Sequence, residues 1–356
     1  MSIMRSVKTP DKNEEGLVAI IVATIIMIIL SLITLGFARL MEREQRQALD
    51  RSLSTQAFYA AESGVNDVEK AIRAGTLKTD RDKCDPSVGI AGDNVFTGTI
   101  DAGLTSQYSC LLVLQHPPTL EYTNGSINVN SSKIVAVSDA VGDSISQIKF
   151  SWTGSDLTVG TPLDCTIAFP SFGSWPHDTG MLRVDVVPAD PPLTRAGLIS
   201  GAITLFLYPT AAGCGTDTVT YAANSSDNTK GSIVAVNCLN SSPPFADGRK
   251  YACEIGITMA AAEQKHLYYL RMRSVYKPSE VSVRLFNSAN TQVSIKDAQV
   301  QVDSTGRVAD VIRRIQVRIP IKITFPVPDD ALETTNSICK LIGVAPPSPP
   351  SLGCPN

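Results

Sequence analysis

The chain has 356 residues, of which 43% are hydrophobic and 18% charged, and 31 Lys and Arg against 34 Asp and Glu give a formal net charge of −3. This length is enough for one large domain or two smaller ones beside an N-terminal segment. Because the charge is nearly balanced and no basic face is evident, we expect no nucleic acid among the partners.

The first element is an apolar run of membrane-spanning length. No charged residue lies between Gly16 and Ala38, and at about 1.5 Å per residue such a helix crosses a hydrocarbon core of roughly 30 Å. A secretory signal has a shorter apolar core, roughly 7 to 15 residues, followed by a small-x-small cleavage box. That box is missing before Arg39, so residues 17–38 are predicted to stay on the chain as a transmembrane helix.

The same helix is predicted to continue well beyond the apolar run. No proline occurs between Pro10 and Pro86, and the intervening residues are good helix formers, which favours one helix from about Leu17 to about Ala74, ended by Gly75. Residues 39–75 are amphipathic, because apolar residues recur at three- and four-residue steps and form a stripe along one face of the helix. Its members are Leu49, Leu53, Ala57, Ala61, Val65, Val68 and Ile72. This stripe predicts packing against a partner surface, of which a short coiled coil is one form.

Residues 76–340 are predicted to form a β-rich head, because Val, Ile, Thr, Ser, Gly and Asn replace the helical pattern. We expect strands at 133–138, 147–152, 181–187, 203–209, 268–276, 281–286 and 315–325. Pro320 makes the last an edge strand or two strands, and a hairpin is predicted to turn near Ser304 to Gly306. The head is either one domain or divided near residues 188–197, and residues 341–356 form a Pro-rich tail. The expected class is therefore α+β, a long N-terminal helix followed by a large antiparallel, mainly β head.

Eight cysteines follow the helix, without a CxxC pair and with only three histidines in the chain. They are Cys84, Cys110, Cys165, Cys214, Cys238, Cys253, Cys339 and Cys354. An even set without zinc-ligand spacing indicates disulfides, and hence a compartment outside the cytoplasm. We expect at least three bridges, and Cys339 with Cys354 is the preferred pair.

Sequence motifs for catalysis are weak. Asp178 to Gly180 reads "DTG", as in an aspartic-protease loop, but a second copy in matching context is missing, so Asp178 is interpreted as a turn residue. Glu263 and His266 have the spacing of two ligands on a helix face, and one such pair is not a metal site. We therefore expect no enzyme activity, cofactor or metal.

The N-terminal segment resembles type IV prepilins and pseudopilins, in particular the PilX-like minor-pilin branch. The resemblance rests on a short hydrophilic leader, on Gly16 directly before the apolar run, on the unbroken helix, and on "QAFYAAESGVNDVEKAI" at 56–72. It implies a leader of residues 1–16 that a prepilin peptidase removes between Gly16 and Leu17. It further implies a single-pass membrane precursor with its head outside the cytoplasm, N-terminal methylation, and assembly with other pilin subunits into an extracellular filament.

Three features depart from the major-pilin pattern. Ile21 stands where most pilins have a glutamate, Glu14 and Glu15 stand where basic residues are common, and the chain is far larger than a compact major pilin. The resemblance therefore implies a minor or tip subunit whose adhesive head contacts a host cell or another surface ligand. Two alternatives are the principal pilin of an unusual pilus and an uncleaved, signal-anchored extracellular enzyme or ligand-binding domain.

Overall fold

The structure is a computed structural model that describes residues 12–77, 80–84, 98–101, 106–129, 132–154, 162–194, 201–221, 232–240, 245, 248–296 and 298–321. It confirms the predicted α+β class, since one long N-terminal helix is followed by a large and mostly antiparallel β head. The Pro-rich tail and the pair Cys339 and Cys354 lie outside the described residues. The leader boundary and the division near residues 188–197 stay predictions.

The long helix, α1, is continuous from Lys12 to Ala74. Its end is a Schellman motif, in which Gly75 takes a φ of 68° and its N–H donates to the Ile72 carbonyl at 3.0 Å. The Thr76 N–H donates to the Ala71 carbonyl, also at 3.0 Å, so two carbonyls of the last turn are satisfied. The predicted stop at Gly75 is confirmed.

Sixteen strands follow within the described residues. They are β1 (Gly98–Asp101), β2 (Ser106–Leu114), β3 (Leu120–Ile127), β4 (Lys133–Asp139), β5 (Ile145–Gly154), β6 (Met181–Pro188), β7 (Ile203–Ala211), β8 (Thr218–Tyr221), β9 (Ser232–Cys238), β10 (Cys253–Met259), β11 (Leu267–Val275), β12 (Ser279–Asn287), β13 (Gln292–Val293), β14 (Ile295–Lys296), β15 (Gln299–Val308) and β16 (Val311–Pro320). Each strand segment expected from the sequence falls on one of them, although residues 322–325 lie beyond the described part of the last.

The chain divides into two compact units. The helix unit comprises residues 1–113 and 302–317, and the β unit comprises residues 114–301 and 318–356. Strands β1, β2, β15 and β16 form a four-stranded sheet in that order, so β16 lies at its edge, as Pro320 predicts.

The predicted hairpin turn at Ser304 to Gly306 is wrong. Both residues lie inside β15, and the chain turns at Ala309 and Asp310, with Ala309 at a φ of 52°. Gly306 is required by the close approach of α1, described below, and a contact between residues so distant in sequence is invisible to a local turn pattern.

The β unit is built on a sheet in the order β13-β12-β5-β10-β9-β7-β6-β11-β4-β14, with β3 also paired to β12 and β8 to β10. Among the described pairs of this sheet, β7 with β9 and β8 with β10 are parallel, and the others are antiparallel. The two end strands are separated along the chain by Ser294 alone, so the ends of the sheet meet. One core, which includes Phe150, Trp152 and Tyr268, fills the interior.

Three disulfides join the six cysteines that lie within the described residues. Cys84 pairs with Cys110 in the helix unit, while Cys165 pairs with Cys214 and Cys238 with Cys253 in the β unit. The last pair links β9 to β10, where the two cysteines face each other in register.

Candidate functional site

The N-terminal half of α1 is apolar and exposed. Every side chain from Ala19 to Ser52 is exposed, and Ile20, Met27 and Phe37 each expose more than three-fifths of their surface. Among the described residues, α1 alone has the length and the apolar composition needed to cross a membrane. Such an apolar surface is stable only against lipid or other helices, because leaving it in water forfeits the gain of burial.

The hydroxyl groups in this half are satisfied within the helix. Thr24 Oγ1 donates to the Ile20 and Ile21 carbonyls at 3.0 and 2.8 Å, and Ser31 Oγ donates to the Met27 carbonyl at 2.8 Å. Unsatisfied donors are costly in hydrocarbon. These hydroxyls therefore need no partner outside the helix, which suits a segment surrounded by apolar groups.

The C-terminal half of α1 lies directly on the sheet of the helix unit. Ala57, Ala60 and Ala61 are at most 1% exposed. A Cβ added to Gly306 of β15 would lie 2.0 Å from the Ala57 carbonyl oxygen and 2.4 Å from the Ala61 nitrogen. The two backbones are thus in contact, and no side chain fits between them.

A second glycine, on the helix, completes this contact. A Cβ added to Gly64 would lie 2.6 Å from Ser304 Oγ, 2.9 Å from Leu111 Cδ2 and 3.1 Å from Tyr108 Cγ. Small residues on both surfaces therefore set the distance between α1 and the sheet, as they do between closely packed helices.

Two polar contacts fix the position of the helix along the strands. Tyr108 Oη donates to Asp67 Oδ2 at 2.8 Å, and Arg313 Nε donates to Ser54 Oγ at 2.8 Å. Burial raises the pKa of Tyr108 well above its usual range, and the hydrogen bond to Asp67 and the charge of Asp67 raise it further. Tyr108 consequently remains a hydrogen-bond donor throughout the physiological range.

Most of the predicted apolar stripe is buried against the sheet. Ala57, Ala61, Val65 and Val68 are buried, Leu53 and Ile72 are half-buried, and Leu49 is exposed. Ala60 and Ala71 are also buried in this face but were not predicted; each lies one residue before a predicted position, so the buried face is wider than the predicted stripe. Gly16 and Leu17 lie in the helix, and their side chains are outside the described ones.

The outward face of the same half carries aromatic rings and ion pairs. Phe58 and Tyr59 are 46% and 59% exposed, with ring centroids 5.9 Å apart. Glu69 pairs with Arg73 one helical turn later, an orientation that favours the helix by about 0.3–0.5 kcal/mol. This face stabilises the helix in water, whereas residues 17–38 have no charged side chain.

The two motifs considered for chemistry do not form a site. Lys277 Nζ lies 3.8 Å from Asp178 Oδ1, and no group of three or more His, Cys, Asp or Glu that could hold a metal is found in the described part of the chain. Glu263 ends a short 3₁₀ turn, while His266 Nδ1 lies 2.9 Å from the Gly142 carbonyl.

A spanning-length apolar helix thus continues, unbroken, into a helix seated on a sheet. Residues 15–66 match the family model described as PilX N-terminal. This match covers the exposed half of α1 and most of the seated half, and it includes none of the strands. No curated protein and no solved structure matches the chain. The match and the apolar helix together support a type IV pilus minor-pilin-like subunit, and the matched family is a structural pilin component.

Proposed function

We propose that the protein is a minor or tip subunit of a type IV pilus or a related surface filament. It is made as a single-pass membrane precursor with its head outside the cytoplasm, and a prepilin peptidase removes residues 1–16 before Leu17. The mature N-terminus is methylated, and the subunit assembles with other pilins into an extracellular filament. The head then serves as an adhesive contact to a host cell or surface.

The observation that carries this proposal is the division of α1 into an exposed apolar half and a half seated on its own sheet. The C-terminal half of α1 stays packed on its sheet. The apolar half can therefore leave the lipid and enter a bundle of similar helices without unfolding the head. A helix used in both environments should be apolar all round and short of charge, as residues 17–38 are.

Ile21 favours a minor or tip position over the principal subunit. It occupies the place where most pilins have a glutamate that pairs with the N-terminal amine of a neighbour, and its apolar side chain offers no charge for that pairing. The first subunit of a filament has no earlier neighbour whose amine must be paired. The large head also suits a subunit present in few copies.

The test is the N-terminus of the protein recovered from sheared surface filaments of the native cell. Intact-mass and peptide mass spectrometry should show a chain that begins at N-methylated Leu17. Gly16→Val should block processing, whereas Gly36→Val is the matched control, because a Cβ at Gly36 meets nothing within 4 Å. A chain that retains Met1 and remains with membranes would exclude the filament proposal and favour a signal-anchored extracellular enzyme or ligand-binding domain.

A further inference from the structure

A polar cleft of about 510 Å³ lies in the β unit, beside β5 and β10. Its volume falls within the range of roughly 300–1,000 Å³ that is usual for small-molecule sites. Gln147 and Lys149 of β5 line the cleft together with Glu254 of β10. They alternate along their strands with Ile148 and Ile255, which are buried in the core. The cleft therefore lies on the face of the sheet that points away from the core.

Gly256 shapes the floor of the cleft. It lies opposite Lys149 in the pairing of β10 with β5. A Cβ at Gly256 would lie 2.8 Å from Gln147 Nε2. Without that Cβ, the Gln147 side chain reaches Thr258, and its Nε2 donates to Thr258 Oγ1 at 2.9 Å. This bond fixes the Gln147 amide, whose Oε1 accepts no hydrogen bond among the described residues.

Residues 212–217 form one wall of the cleft and are attached to β9 by Asn237. Asn237 Oδ1 accepts hydrogen bonds from the Gly213 and Gly215 N–H groups at 3.1 and 2.8 Å. Its Nδ2 donates to Asp217 Oδ1 at 2.9 Å. Because floor and wall are held in place before a ligand arrives, binding costs little conformational entropy.

The charges that line the cleft are those of Lys149, Arg249, Asp217 and Glu254. Glu254 is neutralised from outside the lining, since Arg284 pairs with its Oε2. Asp217 is exposed, and its Oδ1 already accepts a hydrogen bond. Positive charge therefore prevails in the cleft, which favours a ligand with a negative group.

Lys149 is the cation best placed to bind that group. Its Nζ lies over the Phe286 ring, 4.8 Å from the centroid, and the side chain forms no ion pair in the part of the chain that the structure describes. The ring is neutral, so this contact positions the ammonium without cancelling its charge. Lys149 is half-buried, and an anionic partner would replace the water that it has lost.

We propose that this cleft binds an acidic saccharide of one or two pyranose units, with the carboxylate paired to Lys149. The sugar hydroxyls meet hydrogen-bonding groups around that pair, including Gln147 Oε1 and the Thr218 hydroxyl. A small carboxylate alone would leave most of these groups without a partner.

Two other ligand classes fit the cleft less well. A nucleotide base stacks on aromatic rings, and none of the described lining residues is aromatic. An extended peptide adds to an unpaired strand edge. Strands β5 and β10 offer no such edge, because β5 is paired with β12 and β10, and β10 is also paired with β8 and β9.

This site names a ligand class for the adhesive head, and in that respect it rests on the proposed function. Binding does not require assembly, so the two can fail separately. A chain that begins at Leu17 but binds no acidic saccharide leaves the filament subunit standing. Binding of an acidic saccharide by a chain that keeps Met1 supports an anchored binding domain.

The test is a titration of the full-length protein in a detergent without a sugar head group, followed by ligand-observed NMR. The probes are the methyl glycosides of glucuronic acid, galacturonic acid and N-acetylneuraminic acid, each compared with its neutral methyl ester. We expect saturable binding of at least one acid and at least about tenfold weaker binding of its ester, because the charge-assisted bond to Lys149 is lost. Equal affinity for acid and ester, or no saturable binding of any acid, would overturn the proposal.

Lys149→Gln should weaken binding of the acid at least about tenfold and remove the difference between acid and ester, whereas Lys149→Arg should bind the acid within about threefold of the wild type. The matched control is Lys133→Gln, which removes the same charge from an exposed lysine of β4 and should bind as the wild type does. Unchanged binding by Lys149→Gln would contradict the assignment. Binding of succinate or of a glutamate dipeptide as tightly as every saccharide acid would exclude a saccharide site.

Discussion

Gly306 has no side chain because the backbone of α1 occupies the space that one would need. Its added Cβ would lie 2.0 Å from the Ala57 carbonyl oxygen, a distance that only backbone movement can relieve. We therefore expect Gly306→Ala to lift the helix from β15 and to cost about 2 kcal/mol or more. Hydrogen exchange measured by mass spectrometry should then be about 30-fold faster in residues 57–68, where the buried face of α1 meets the sheet.

Gly173→Ala is the matched control for this substitution. An added Cβ there meets nothing within 4 Å, and the residue belongs to the β unit. It should leave exchange in α1 unchanged and alter stability by no more than about 0.5 kcal/mol. Equal exchange in Gly306→Ala and the wild type would show that the helix and strand are not in backbone contact.

The sequence alone suggested a different role for this residue. Ser304 to Gly306 looked like a turn because serine and glycine are common in turns, and the actual turn at Ala309 and Asp310 contains no glycine. A glycine needed for contact with a distant element has the same local pattern as a glycine needed for a turn. Gly64 on α1 was missed for the same reason, since its neighbours Ser304 and Leu111 are far along the chain.

At the scale of elements, the helix was more predictable than the sheets. The length of α1 follows from local properties, namely helix formers without proline and a glycine at the end. The strand segments also follow from local alternation, as the burial of every second residue in β11 illustrates. Their order does not, because β10 pairs with both β5 and β9, and β7 pairs in parallel with β9. Such long-range pairing is set by packing of the complete core.

The apolar half of α1 leads to the prediction for this scale. Ile25→Lys combined with Ile29→Lys places two charges among exposed apolar side chains, and each lysine costs about 2.5–3.5 kcal/mol at the centre of a bilayer. The double variant should leave the membrane fraction in an alkaline carbonate wash, whereas the wild type stays. The head should remain folded, because both residues precede the seated half of the helix.

The control adds the same charge outside the apolar run. Gln45→Lys combined with Gln47→Lys lies on the exposed, polar part of α1 and should remain in the membrane fraction. If the two double variants partition alike, the apolar run of residues 17–38 does not anchor the protein.

At the scale of the whole molecule, each unit has its own covalent bridge. Cys84 and Cys110 are 26 residues apart and close a loop in the helix unit, while Cys238 and Cys253 are 15 residues apart and join two strands of the β unit. On the chain-entropy model these loops contribute about 3.5 and 3 kcal/mol. Disulfides are typical of proteins that fold in an oxidising compartment, so bridges in both units agree with the proposal that the head lies outside the cytoplasm.

The final prediction uses these bridges to separate the stabilities of the units. Cys84→Ala with Cys110→Ala should accelerate hydrogen exchange in β2, whereas Cys238→Ala with Cys253→Ala should accelerate it in β9 and β10, each effect staying in the unit that has lost its bridge. Each double variant lacks a bridge that restricts the unfolded chain, so the unit without its bridge is less stable and exchanges faster. Reduction of the wild-type protein with dithiothreitol controls for the altered side chains and should reproduce both effects, with a further contribution in the β unit from the loss of Cys165–Cys214. If reduction leaves exchange unchanged in both units, the bridges do not stabilise the head, and the argument from cysteine usage to an oxidising compartment fails.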